Sequence, residues 1–265
     1  MRKNRLRELL QADQPSIGTR LETQWPTMVE IIGRTGMFDC VELMAEYAPY
    51  SLFSLDNMGR AIELFDHMSG MIKIEQESRQ HLAVRAISSG IQNVLFSDVR
   101  SVADAEECVR AVRAETPQTG GRHGARHGRD VGIMLEAGSP AFVQALEDAV
   151  IALMIEKKEA IENLEAILRV KGVDMVQFGP ADYAMSLGIA GQKKAPEVVE
   201  AQLYMIKTAL KMGIAPRAEI NSPEEAEYYL NLGVKHFCLG TDVTTIFNWG
   251  KTNGARLRDL LKNQS

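Results

Sequence analysis

Short apolar runs recur along the chain, and each is followed by a longer stretch in which apolar residues return every three or four positions. The runs predict strands at Ile17–Leu21, Cys40–Met44, Met71–Ile74, Asn93–Phe96, Ile151–Glu156, Asp174–Phe178, Ala215–Glu219 and His236–Gly240. The longer stretches predict helices at Trp25–Gly36, Ser54–His67, Glu77–Ser89, Val102–Glu115, Glu159–Val170, Glu197–Met212 and Pro223–Leu232, with Thr244–Leu261 as a closing one. Start and stop signals agree. Ser101 with Asp104 has the spacing of a capping box, Ser222–Pro223 pairs a cap with an N1 proline, and Gly90, Gly172, Gly213 and Gly233 fall where helices end. Eight alternations of strand and helix predict an α/β fold, a (β/α)8 TIM barrel occupying residues 1–265 as one domain. No GxGxxG run follows the first strand, which argues against a dinucleotide-binding fold.

One segment breaks the rhythm. Thr116–Arg129 (TPQTGGRHGARHGR) carries Gly120, Gly121, Gly124 and Gly128 among basic residues and must be a loop. It is either a surface loop or a segment that reaches a site or a neighbouring subunit. A helical run at 140–149 then leads into the fifth strand.

Composition narrows the function. With 265 residues, 45% hydrophobic and 25% charged, the chain has an ordinary globular balance. A net charge of -5 and 6% aromatic residues offer neither a general field nor a stacking platform for nucleic acid, so no nucleic-acid partner is expected. No window is apolar enough to span a bilayer, and MRKNRLRELLQAD has the pattern of a charged helix start rather than a secretory signal. Cys40, Cys108 and Cys238 form no CxxC pair, and Cys40 and Cys238 sit in strand-like runs as expected core thiols. A cytoplasmic location is therefore expected.

In a barrel of this type, chemistry gathers where strands end and the loops leading to helices begin. The fifth strand ends at Glu156, and the sixth breaks at Gly179-Pro180-Ala181-Asp182. Two carboxylates at neighbouring strand ends suit a hard divalent cation. Equally, Glu156 solvates a strand end and Asp182 caps the next turn. Other strand ends carry Glu42, Glu46 and Tyr47, Lys73 and Glu75, Arg217 and Glu219, and Thr241 and Asp242.

The stretch IEKKEAIENLEAILRVKGVDMVQFGPADYAMSLG, Ile155 to Gly188, closely resembles the signature of the HpcH/HpaI aldolase family. The resemblance extends through Gly18, Phe38-Asp39, Glu46-Tyr47-Ala48-Pro49, Gly90-Ile91-Gln92, the loop from Pro117 to Gly124, Pro196-Glu197-Val198 and Gly240 with Asp242. It implies a metal-dependent barrel that splits or joins carbon–carbon bonds through a pyruvate enolate. It implies Glu156 and Asp182 as ligands to Mg2+, Mn2+ or Co2+. A homo-oligomer, trimer or hexamer, with sites near subunit contacts is implied as well. Lys73 and Arg122 become candidates for a substrate carboxylate, and Gly179, Pro180 and Ala181 line the site.

The departures are specific. Tyr47 stands where the family carries its acid–base histidine, and Ser88 stands where that histidine's aspartate partner would be. Lys73 matches the family's third-strand arginine only with a one-residue offset, Met154 replaces a glutamine, and Ser97-Asp98 replaces a Pro-Met pair. The expected function is a metal-dependent lyase on a small oxo-acid, with Tyr47 or bound water in the histidine's role. Decarboxylation, hydration or isomerisation on the same metal, or non-catalytic binding of an oxo-acid, are the alternatives.

Overall fold

The computed structural model describes residues 2–77 and 79–262. Its strands are β1 (Ser16–Leu21), β2 (Cys40–Met44), β3 (Ser69–Ile74), β4 (Asn93–Phe96), β5 (Ile151–Ile155), β6 (Met175–Phe178), β7 (Ala215–Ile220) and β8 (His236–Thr241). They pair in parallel and in chain order, and β8 closes on β1, so the predicted barrel is present. The surrounding helices are α1 (Arg5–Gln11), α2 (Pro26–Arg34), α3 (Leu52–Ile62), α4 (Arg79–Ser88), α5 (Val102–Val112), α6 (Pro140–Glu147), α7 (Lys158–Glu162), α8 (Leu164–Leu168), α9 (Pro180–Ser186), α10 (Pro196–Met212), α11 (Ala226–Asn231) and α12 (Asp242–Lys262).

Successive strand residues point to opposite faces, so each strand serves two cores. Outward residues such as Val41, Leu43, Ile72, Ile74, Phe96 and Ile155 pack against the helices. Inward residues, among them Cys40, Met71, Leu95, Ala152, Met154 and Met175, fill the barrel, and Leu6 of α1 joins them. An amide cluster ties down the same end: Asn4 Nδ2 donates to Asn93 Oδ1 at 2.7 Å, and Asn93 Nδ2 donates to the Gly70 carbonyl at 2.9 Å. The floor is thus apolar and plugged, and inward charge is confined to the upper layers. Cys40, Cys108 and Cys238 are all buried free thiols.

Local chemistry explains most helix boundaries. Ser101 accepts from the Asp104 amide at 3.2 Å while Asp104 accepts from the Ser101 amide at 3.0 Å, which closes the expected capping box. Gly90 and Gly213 adopt φ of 91° and 76°, left-handed conformations that suit glycine at a helix end. The single helix expected over Glu159–Val170 is two, because Asn163 breaks it: its Nδ2 donates to the Glu159 carbonyl at 2.9 Å, competing with the helical ladder. Ser222 makes no side-chain cap, and the helix expected at Pro223 begins as a 3-10 turn.

The glycine-rich segment is a loop, as expected, but it is tied down. Glu115 N donates to the His123 carbonyl at 3.1 Å and His123 N to the Arg113 carbonyl at 3.1 Å. His123 is buried edge-on against Phe142, and burial pushes its pKa down to about 3. The last helix behaves differently. From Val243 to Lys262 every residue of α12 is exposed, including Ile246, Phe247, Trp249, Leu257, Leu260 and Leu261. Among the described helices, none is long and apolar enough to cross a membrane.

Gly59 of α3 shows how tightly the outer layer is packed: a Cβ there would lie 1.6 Å from the Ser89 carbonyl oxygen. Helix propensity alone would favour alanine by about 1 kcal/mol. Gly59→Ala is nevertheless expected to destabilise the protein by about 1–3 kcal/mol or more, because backbone rather than a side chain must yield. Urea unfolding of the two proteins reads the sign directly.

Candidate active site

Polar side chains occupy the barrel interior above its apolar floor. Arg217 of β7 donates to Glu42 of β2 across the barrel and to Gln177 Oε1 of β6 at 2.8 Å. Gln177 Nε2 donates to Glu219 Oε2 at 3.3 Å, and Arg20 of β1 pairs with Glu219 at 2.5 Å. Glu42 is fully buried and Arg217 nearly so, so this network pairs its own charges inside the barrel. Of the polar groups expected at strand ends, Glu42 and Arg217 therefore answer each other rather than a ligand.

A second cluster lies at the carboxyl ends of β2 to β6. Glu156 follows β5 and is 2% exposed. Its Oε1 accepts from the Asp98 amide at 2.9 Å. Carboxylate oxygens of Glu46, Asp98 and Glu156 lie within 4.8 Å of one another. Lys73, inward on β3, makes an ion pair with Glu46 and donates to the Tyr47 hydroxyl at 2.9 Å, its ammonium 4.8 Å from the Tyr47 ring centroid. Lys157 pairs with Asp98 Oδ1 at 2.7 Å and with Asp182 Oδ1 at 3.5 Å.

The loop chemistry that builds this cluster is legible residue by residue. Gly179 closes β6 beside Glu156, and a Cβ there would meet Glu156 Oε2 at 2.5 Å. Its φ of -106° suits any residue, so glycine is required by the close approach of the carboxylate and not by the backbone. Pro180 then opens α9, which places Asp182 in the first helical turn, where the helix dipole favours an anion. Asp98 has a left-handed φ of 55°, a conformation Asp tolerates better than most residues. Buried Arg79 steadies that turn, with Nη2 near the Ser97 and Asp98 carbonyls at 3.4 and 3.3 Å, and is itself held by Glu107 at 2.9 Å and Asp104 at 3.2 Å.

Burial raises the Glu156 pKa above the usual carboxylate value. Lys73 and the Asp98 amide oppose that rise, while Asp182 and Glu46 add to it. Burial works to lower Lys73, but the combined pull of Glu156, Tyr47 and Glu46 outweighs it and holds the ammonium above its ordinary range. Burial also raises Tyr47 against the opposing effect of Lys73, which makes its hydroxyl a proton donor at neutral pH and a poor base.

Glu156, Lys73, Tyr47, Gly179, Pro180, Ala181 and Asp182, picked out from sequence, all sit on this rim. Two placements differ from expectation. Gly179, expected to line the site, keeps its amide on the Ile155 carbonyl at 3.2 Å, so the glycine acts by leaving room for Glu156. Arg122 lies in the glycine-rich loop on the outer layer. Its amide is bound to the Arg110 carbonyl at 2.7 Å, its carbonyl to Gln80, and its exposed guanidinium pairs with no group among the described residues. Asp98 was not among the expected site residues. The available signal was its position directly after β4, where a carboxylate at a barrel's carboxyl end carries functional weight.

A closed parallel barrel with carboxylates and lysines gathered at the carboxyl ends of its strands has the layout of a barrel enzyme, whose active end lies there. A model of the HpcH/HpaI aldolase/citrate lyase family matches residues 60–248, and the chain belongs to that family. It is an enzyme of the lyase class. A 4-hydroxy-2-oxo-heptane-1,7-dioate aldolase of Shigella boydii serotype 18 is 30% identical over 260 residues, covering 96% of this chain and 95% of its own. The enzyme of that name from Escherichia coli matches over the same span at 30% identity. Among solved structures, an HpcH/HpaI aldolase from Desulfitobacterium hafniense DCB-2 superposes with a TM-score of 0.86 at 25% identity, covering 96% of each chain. Macrophomate synthase, at 17% identity and a TM-score of 0.84 over 98% of this chain and 90% of its own, shares the fold.

Because the folded state holds the Glu156 proton more tightly than the unfolded chain, Glu156 costs stability at neutral pH, and that cost shrinks as pH falls through its raised pKa. Lys73→Met removes the strongest group opposing the rise. The Glu156 titration is then expected to move further upward in metal-free protein, followed by carboxyl 13C NMR with glutamate labelling and an E156Q assignment control.

Proposed function

We propose that the protein splits a small 4-hydroxy-2-oxo acid at a carbon–carbon bond, using a divalent cation held by Glu156 and Asp182. The observation that supports this most is Glu156 itself, a nearly fully buried carboxylate with Asp98, Glu46 and Asp182 around it. The donors are all carboxylates, which fits Mg2+, Mn2+ or Co2+ bound with additional water. Gly179 lets Glu156 approach the end of β6 without a clash at its Oε2. When bound, the cation supplies Lewis acidity to the substrate carbonyl and stabilises the enolate left when the bond breaks.

The protein's own groups do the rest. Lys73 sets its ammonium beside Glu46 and Tyr47 and neutralises a substrate carboxylate arriving at the rim. A lysine makes a less directional contact than the forked arginine of the family. The proton of the substrate's 4-hydroxyl passes to water as the carbon–carbon bond breaks and the aldehyde leaves, and Tyr47, held by Lys73 at 2.9 Å, gives its proton to the enolate carbon. Pro180 and Ala181 form the wall beside Asp182. The relatives named for 4-hydroxy-2-oxo-heptane-1,7-dioate support a hydroxylated oxo-acid as the substrate class.

A second reading is decarboxylation of an oxo-diacid on the same cation. Tyr47 favours it, because loss of CO2 needs a proton donor afterwards and no base beforehand, whereas retro-aldol cleavage must first deprotonate a hydroxyl.

The assembly belongs to the same proposal. Most helical stability in proteins comes from packing an apolar face, and α12 buries no apolar side chain on its own barrel. Its exposed Ile246, Phe247, Leu257 and Leu260 support a homo-oligomer, trimer or hexamer, in which a second copy covers them. Arg122, on the outer layer of its own chain, would meet a substrate only at such a contact. Three buried free thiols support a cytoplasmic setting.

The enolate chemistry is tested by deuterium exchange at the methyl group of pyruvate in D2O, followed by 1H NMR. Exchange is expected with Mg2+, Mn2+ or Co2+, absent with EDTA and in E156Q, and slowed roughly 100-fold or more in Y47F. No exchange from folded, metal-loaded wild type would sink the lyase reading. Release of CO2 without an aldehyde from oxo-diacids would select the second. Light scattering should give a mass that is a multiple of 29.4 kDa, dropping to a monomer when residues 243–265 are removed.

A further inference from the structure

We infer that Asp98 is an additional protein ligand to the cation at the barrel mouth. This rests on the metal-dependent reading above but does not follow from the Glu156–Asp182 pair. The family resemblance places methionine at this position, so the carboxylate is a feature of this chain.

Three observations carry it. The first is placement. Asp98 brings a carboxylate oxygen within 4.8 Å of ligand oxygens from both Glu46 and Glu156, while its own amide donates to Glu156 Oε1 at 2.9 Å. The residue is therefore fixed to the carboxylate it would share a cation with. The second is how firmly the turn is held. Asp98 sits at φ 55°, and the carbonyls of Ser97 and Asp98 lie within reach of the buried guanidinium of Arg79, which is anchored in turn by Asp104 and Glu107. A side chain on such a turn meets a ligand with little entropy left to lose.

The third is charge. Glu46, Asp98, Glu156 and Asp182 share one rim, and two ammonium groups lie among them: Lys73 at Glu46, and Lys157 between Asp98 and Asp182. Arg100, itself half-exposed, adds a weaker pair to the same Asp98 Oδ1 at 3.6 Å, leaving three positive groups against four carboxylates. The negative charge exceeds the positive charge supplied from within, and closely spaced carboxylates cannot all stay ionised without more. A divalent cation between Glu156 and Asp98 supplies it. Gly179, where a Cβ would press on Glu156 Oε2, lets that carboxylate sit close against the end of β6.

The test is titration of Mn2+ into the metal-free full-length protein, with free Mn2+ read by EPR and no turnover involved. Asp98→Asn keeps the shape and the amide, and Asp98→Met installs the residue expected from the family. Both are expected to bind Mn2+ at least roughly tenfold more weakly than wild type, the scale on which even residues behind metal ligands act. Thermal melts establish that each variant is folded, and the methionine variant decides the matter if the asparagine variant is not. Wild-type affinity in folded Asp98→Met, with binding lost in E156Q, would overturn the inference and leave Asp98 as a structural partner of Lys157. Wild type that binds no Mn2+ would instead overturn the metal-dependent reading itself.

Discussion

A carboxylate taken out of water must meet positive charge or surrender its own, and the upper half of this barrel is arranged around that requirement. Glu42 meets Arg217 in the barrel interior, Glu219 meets Arg20, and Glu46 meets Lys73. Among the described residues, no cationic side chain forms an ion pair with Glu156. Its stabilisation comes from the Asp98 amide and from Lys73 at longer range, and burial still keeps its pKa raised. A carboxylate held in that condition has free energy to gain from a bound cation, which is what separates it from the self-paired charges below.

Parallel strands make this division possible. Their alternation sends the even face of β3 outward into aliphatic packing and its odd face inward, so that Met71 and Lys73 stand one pleat apart in quite different surroundings. Below, Met71, Leu95 and Leu6 exclude water and fix the register. Above, the loops after β4, β5 and β6 deliver Asp98, Glu156 and Asp182 to one rim. The rim is only as well defined as those loops. Arg79 behind Asp98, Gly179 beside Glu156 and Pro180 ahead of Asp182 each remove a degree of freedom there.

The departures from the family pattern share a direction. A histidine able to act as a base is replaced by Tyr47, whose hydroxyl is a donor at neutral pH, and a methionine is replaced by Asp98. The first change removes a base, and the second adds negative charge where a cation would sit. On the proposed mechanism, chemistry on this rim would lean on the electrophile and on a proton donor more than on a neutral base.

The amino-acid sequence by itself determined the architecture, because strand and helix periodicity, caps and helix-ending glycines are properties of neighbouring residues. Eight strands close to their observed bounds, the Ser101–Asp104 capping box and the candidates Glu156, Asp182, Lys73 and Tyr47 were legible without coordinates. The break at Asn163 was not, since a side chain that competes with a helical ladder looks like any polar residue on an exposed face. Only the tertiary structure decided which charges answer each other. Arg217 and Glu42 are 175 residues apart in the chain, and nothing in their local patterns says that they meet inside the barrel. Asp98 joined the rim for the same reason: electrostatic partnership depends on distance in space, and the closing of β8 onto β1 sets those distances.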